Sequence, residues 1–441
     1  MTVNAGARLD RLPISRFHRR ILALIGIGMF FDGYDVYVAA TVLGATLKTG
    51  FSSLAQNAQF VSFTFIGMML GSFLTGFLGD RYGRRFTYQA NLMIFGLASV
   101  GAAFAPNMNA LILFRGVMGV GLGAELVAGY AAMTEFLPPQ ARGRWSGILN
   151  VVVVSSLPTS ALASALIIPR FGWRIMFLIG GAGALVVWYL RKSMPESPRW
   201  LESIGRTEEA EAMLQEIERE TGIAALPAAV PARPAGALAT RNFASLFGPT
   251  LFPRLLVGVI TLIVANTLIY GFVTWVPTFF VQQGLSIANS FKYSFLMSIG
   301  APVGAAIGSL TADSLGRKPA IVGASLLTIL FGGIYPFVRD PSLLPVSGFL
   351  LVVPIYILVA LLFAIYIPEL FPTDVRMRAV GICNTLGRTA TIFTPFLVVA
   401  LFRSYGVGGV VSLMIGLLVV QIVAVHFWGI EPKLRRLEEM E

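Results

Sequence analysis

Twelve apolar helices in two bundles of six, an all-α integral membrane architecture, is the fold that the 441-residue sequence predicts. Three observations predict it. Hydrophobic residues make up 56% of the chain and charged residues only 12%, too little charge to cover a soluble domain of this length. Apolar runs of about 18 residues or more recur from end to end, each long enough to cross a bilayer. Two loop motifs of the first half return in the second at nearly one offset. A soluble enzyme, a fibrous protein and a nucleic-acid-binding domain are excluded, and the lipid bilayer is the implied surroundings. Cys383 is the only cysteine, so no internal disulfide can form. Residues 1–20 are too polar for a cleavable signal peptide, and the next apolar run is too long for one.

In order, the spans are expected at roughly 21–47, 56–79, 86–105, 109–133, 143–168, 173–191, 253–281, 290–312, 319–338, 344–367, 377–402 and 407–430. This divides the chain into a tail (1–20), a first bundle (21–191), a loop (192–252), a second bundle (253–430) and a second tail (431–441). Of the 33 Lys and Arg, 25 fall in the tails and in the loops that follow even-numbered spans. The other side holds six, Lys48, Arg170, Arg174, Lys292, Arg339 and Arg403, while Arg115 and Arg388 lie inside spans. Cationic residues collect on the cytoplasmic side, so both termini are expected there, with the chain in the inner membrane. The 192–252 loop carries an expected amphipathic helix from Thr207 to Glu220, with Ala210, Met213, Leu214 and Ile217 on one face. Leu226-Pro-Ala-Ala-Val-Pro-Ala-Arg-Pro-Ala235 then reads as a flexible linker.

The repeat supports the two bundles. Asp80-Arg-Tyr-Gly-Arg-Arg85 returns as Asp313-Ser-Leu-Gly-Arg-Lys318, and Glu135-Phe-Leu-Pro-Pro-Gln-Ala-Arg-Gly-Arg144 as Glu369-Leu-Phe-Pro-Thr-Asp-Val-Arg-Met-Arg378. Parallel six-span repeats are the architecture of alternating-access transporters, with substrate held between the halves near the midplane. Asp80 ends span two beside the start of span eleven, and Asp313 ends span eight beside the start of span five. A carboxylate there is favoured by free helix N–H groups, typically by ~0.3–1 kcal/mol. With Arg84 and Arg317 of the same loops, and with Glu135–Arg142 and Glu369–Arg376 as expected salt bridges, these residues form a candidate cytoplasmic gate.

Gly76-Phe-Leu-Gly-Asp-Arg-Tyr-Gly-Arg-Arg85 resembles the signature loop of the major facilitator superfamily, with Ser309 replacing the first glycine in the second copy. Pro195-Glu-Ser-Pro-Arg-Trp-Leu201 resembles the branch of sugar porters, organic-ion transporters and metabolite–proton symporters. Asp32-Gly-Tyr-Asp35 is similar to the aromatic acid–proton symporters within it. The resemblance covers nearly the whole chain and implies proton-coupled transport of a small molecule by the major facilitator fold.

Ionisable groups at bilayer depth cost about 2.5–3.5 kcal/mol on the insertion scale, so each needs a reason. Five are expected: Asp32, Asp35, Arg115, Glu125 and Arg388. At about 1.5 Å per residue, Asp35 lies level with Arg115 on the outer side, and Asp32 level with Glu125 on the inner. Arg115 stays charged and needs an anion, for which Asp35 is suited. Asp32 and Glu125 have no second intramembrane cation beside them on this count, so one of them is expected to carry a proton. These four are the candidate proton-coupling group. Arg388, about 12 residues into span eleven, has no acid at its depth in the second half, and its guanidinium fork suits a carboxylate. By resemblance, Gly387-Arg388-Thr-Ala-Thr-Ile-Phe-Thr-Pro395 is similar to the segment where organic-anion transporters carry a substrate-binding arginine. Tyr34, Tyr270, Trp275, Tyr356 and Asn384 are candidates to hold the rest of a planar acid. His18 and His426 have no companions, and no phosphate loop or nucleophile constellation is present, so neither metal nor cofactor is expected.

The function expected is import of a small organic, aromatic carboxylate by proton symport, by a monomer and without enzymatic activity. A sugar or another neutral or cationic metabolite is the alternative cargo, although span seven lacks the paired glutamines of sugar porters. A drug–proton antiporter is disfavoured because span five lacks the associated Gly-Pro motif. A non-transporting nutrient sensor is the alternative of another class, and the short tails argue against it.

Overall fold

The computed structural model describes residues 3–221, 246–338, 340, 342–371 and 376–431. Every regular element among them is a helix. Spans one to six are Arg16–Lys48, Leu54–Tyr82, Arg84–Ala103, Met108–Phe136, Pro139–Phe171 and Arg174–Leu190. The second half is more broken. Span seven runs through Phe252–Gly271, a 3-10 turn at Val273–Trp275, and Val276–Gln282. Pro277 cannot donate the hydrogen bond that would continue the helix across that turn. Span eight is Ile287–Ser298 and Gly300–Leu315, and span nine is Arg317–Ile334. Span ten, Leu344–Val359, passes through a π-helical stretch at Ala360–Tyr366 into Ile367–Glu369. Spans eleven and twelve lie in Arg376–Trp428, divided at Gly406, whose φ of 63° suits glycine. By length and composition alone, nine described helical runs can cross a membrane. One of them, Ala379–Trp428, holds two crossings, and Arg84–Ala103 with Met108–Phe136 complete the twelve.

Three helices that begin at the face opposite the termini are capped by their own sequence. Ser53 and Gln56 close a capping box on span two, Asn107 accepts from the Ala110 N–H at 2.9 Å, and Ser286 from Asn289 at 3.2 Å. Within the first bundle, spans two and four touch backbone to backbone. A Cβ on Gly71 would lie 1.9 Å from the Val120 carbonyl oxygen, and one on Gly123 2.0 Å from that of Met68. The halves meet along three lines: span two on eleven, where Ser62 donates to the Ile392 carbonyl at 2.7 Å, span five on eight, and span one on seven.

The tail and the inter-bundle loop, separate segments in the sequence, fold onto each other. The loop helix is present as Thr207–Thr221, preceded by Pro198–Ser203. The proline-rich stretch 226–235 lies outside the described residues. Glu202 accepts from the Asn4 and Ala5 N–H groups at 2.7 and 2.8 Å, Arg199 pairs with Asp10 at 2.6 Å, and Arg8 and Arg11 converge on Glu218. Leu9, Leu12, Leu214 and Ile217 close a small core against the foot of the first bundle.

The Arg8 hydrogen bonds hold the Glu218 carboxyl below its ordinary value of 4.5, with Arg11 adding to the effect and burial opposing it. A carboxyl lowered on docking stabilises the docked form above its ordinary value, and that contribution is lost as pH falls through the lowered one. The tail is therefore expected to loosen as pH falls below that ordinary value. A distance between labels at Val3 and Glu216 that stays constant from neutral pH to pH 3 would contradict this.

Candidate functional site

The first bundle buries a five-membered charge cluster. Asp35 and Arg115 form an ion pair, both about 1% exposed. Arg115 also donates to the Thr64 hydroxyl at 3.0 Å and to the Asp35 carbonyl at 3.2 Å, and lies 5.1 Å from the Phe60 ring centre. This arginine bridges spans one, two and four.

Glu125 is paired as well, which corrects the expectation that it and Asp32 have no cation beside them. Arg191 bonds its carboxylate and donates to the carbonyls of Leu24 at 3.0 Å and Ile25 at 3.1 Å. The charge count placed Arg191, the last residue of the expected span six, with the cations of the cytoplasmic side. Its long stem instead carries the charge inward, through a notch at Gly28, where a Cβ would sit 1.9 Å from the guanidinium. The sequence signal was the acid surplus itself: three buried carboxyls beside one arginine call for another cation.

Asp32 remains. It is 3% exposed, and neither carboxylate oxygen has a hydrogen-bond partner among the described residues. Glu125, Arg191 and Asp35 are the charges that act on it. A buried carboxyl without a donor is costly as an anion and tolerable as a neutral acid. Protonated, it leaves the cluster with two acids, two arginines and no net charge.

Between the halves, Arg388 is half-buried on span eleven, and its Nη1 is buried without a partner among the described residues. Tyr270 of span seven lies within electrostatic reach and meets the Phe65 ring of span two edge to face, 4.5 Å between centres. Asn384 stands one turn before Arg388 on the same helix, its amide donating to the Val380 carbonyl at 3.0 Å. The Tyr356 hydroxyl donates to that of Tyr37 at 3.1 Å, joining span ten to span one. Tyr37 was not singled out from the sequence, because alternation along span one does not say which tyrosine faces the other half.

Two expected members of this group are elsewhere. Tyr34 packs beside Asp35 against Gly180 of span six, inside the first bundle, because its helix face points away from span seven. Trp275 stacks on Phe279, which stacks on Phe402, 14 residues and about 21 Å along span eleven from Arg388.

At the face bearing the termini, the side chains of Asp80, Glu135, Arg142, Asp313 and Arg376 lie outside the described residues. Glu369 bonds Arg317 through both oxygens, at 2.9 and 3.1 Å, so its described partner is Arg317 rather than Arg376. The Arg84 N–H donates to Glu196 at 3.0 Å, and the Arg317 and Lys318 N–H groups to Glu431 at 3.0 and 2.8 Å. Spans three and nine are thus capped in the same way by the chain that leaves spans six and twelve. The repeat legible in the loops extends to residues that the sequence comparison of loops alone had missed.

Known proteins share this architecture. Residues 21–441 match the family described as sugar (and other) transporter. The inner membrane metabolite transport protein YdjE of Escherichia coli is 38% identical over 99% of this chain and 98% of its own. The niacin transporter NiaP of Acinetobacter baylyi is 31% identical over 95% of each. Among solved structures, the xylose transporter XylE from E. coli superposes with a TM-score of 0.74 at 18% identity, over 95% of this chain and 99% of that one, a likeness of fold. The chain belongs to the sugar (and other) transporter family of the major facilitator superfamily.

Proposed function

We propose that this transporter imports a small organic carboxylate, an aromatic one, together with protons, by alternating access as a monomer across a bacterial inner membrane. The observation that carries the reading is Arg388. Its buried Nη1, without a partner among the described residues, is a donor awaiting an anion between the halves, and Tyr270 and Phe65 offer ring faces for a planar body beside it. A relative named for niacin, a pyridine carboxylate, supports the same cargo class. Asp32 carries the proton, Asp35–Arg115 and Glu125–Arg191 hold the geometry around it, and the face bearing the termini is cytoplasmic. The gate reading of the terminal loops, with Asp80 and Asp313 at helix N-termini, belongs to the same cycle.

A thermal-shift panel tests the cargo. Benzoate-like, nicotinate-like and aliphatic carboxylates are compared with neutral sugars and organic cations. A ligand at about 100 times its Kd stabilises the folded state by about 2.7 kcal/mol, enough to move Tm by degrees. Aromatic carboxylates should raise Tm and xylose should not. A shift with sugars and none with carboxylates would move the protein to the sugar reading.

A further inference from the structure

We propose that Arg191 is the movable counter-charge of the proton site: it serves Glu125 alone while Asp32 is protonated, and is shared with Asp32 once that proton has left. The inference rests on the reading of Asp32 as the proton carrier. A guanidinium has five N–H groups. Three of those on Arg191 are spent, on the Leu24 carbonyl, the Ile25 carbonyl and the Glu125 carboxylate, which leaves two unspent among the described contacts. Gly28, whose missing side chain admits the guanidinium, lies one turn before Asp32 on the same face of span one. The orphaned Asp32 carboxyl therefore lies beside a donor with capacity to spare.

The other groups around Asp32 cannot take this role. Arg115 spends three N–H groups as well, on Asp35, Thr64 and the Asp35 carbonyl, but Arg191 rather than Arg115 is the cation that acts on Asp32. Glu125, from span four, repels an Asp32 anion, as does Asp35 from its own helix. Span five offers the Ser156 hydroxyl near Gly33, and that hydroxyl donates to the Val153 carbonyl. In the step itself only the Asp32 O–H bond breaks. The proton passes to water at the face bearing the termini, and the new carboxylate accepts an unspent N–H of Arg191. A structural role for Arg191 would need only the Glu125 pair and the two carbonyl bonds. The vacant donors beside an orphaned acid are what the partner-sharing role adds.

The test needs no substrate. Infrared difference spectroscopy of the purified protein follows the C=O stretch of a protonated carboxyl through a pH titration. Asp32→Asn should remove the band. Its survival in that variant overturns the Asp32 reading and this inference with it, whatever the cargo panel has returned. Glu125→Gln frees Arg191 for Asp32, so the titration midpoint moves to lower pH. Glu125→Gln/Arg191→Gln removes both partners, leaves no unpaired charge from that pair, and moves the midpoint to higher pH. The two should differ by at least about one pH unit, a tenfold difference in proton affinity. Coincident midpoints, with the band absent in Asp32→Asn, overturn the role of Arg191 and leave Asp32 standing. Should the double variant fail to fold, Gly28→Ala keeps every charge and displaces the guanidinium from span one. It should also move the midpoint to higher pH, and a parental midpoint overturns the proposal.

Discussion

Replacing Arg388 with alanine should weaken binding of the proposed carboxylate by about 30-fold or more, because a charge-assisted pair in a partly desolvated site costs about 2–5 kcal/mol to break. Arg388→Lys should recover little of this. An ammonium supplies one point of charge where the guanidinium supplies a planar fork, and it is more strongly hydrated. Folding should be nearly unaffected by either change. The buried Nη1 has no partner to orphan among the described residues, and the alanine removes a cation from the bilayer interior. Titration calorimetry with the strongest carboxylate of the panel reads the loss directly. An alanine variant with parental affinity would end the anion-site reading of span eleven.

Asp32→Asn should abolish accumulation driven by a proton gradient. For one proton per substrate, each pH unit of gradient is worth about 1.36 kcal/mol, a tenfold accumulation at equilibrium. The asparagine cannot take up or release a proton, so internal and external substrate should only equalise. Exchange of labelled for unlabelled substrate should persist, since the amide imitates the neutral acid. Accumulation that survives in the variant would place the coupling proton on another group. Changes to the paired members of the cluster are expected to behave differently. Removing Arg115 or Arg191 alone leaves a buried carboxylate uncompensated, a loss of about 3–5 kcal/mol that shows first as poor folding.

What the sequence disclosed follows from what one-dimensional patterns can encode. Span lengths and the doubled loop motifs are local signals, and they led to the fold that the structure and the family match both have. Depth counting set Asp35 level with Arg115, where the structure has their ion pair. Facing is harder to read. Tyr34 and Tyr37, three residues apart, differ by only about 60° about span one, yet Tyr34 turns into the first bundle while Tyr37 reaches span ten. Arg191 escaped because a Cα at a span end says nothing of where six side-chain bonds carry the charge. The clasp of Arg8 and Arg11 on Glu218 joins positions some 200 residues apart, and only the folded chain brings them together.

On the proposed function, a proton gradient drives a carboxylate through this protein. Proteoliposomes with an acidic exterior and an alkaline interior, offered labelled nicotinate and labelled xylose in parallel, test it most directly. Nicotinate should accumulate above equilibrium, with accumulation abolished by a protonophore and absent in Asp32→Asn, and xylose should not accumulate. Xylose accumulation without nicotinate accumulation, or nicotinate uptake indifferent to the protonophore, would contradict it.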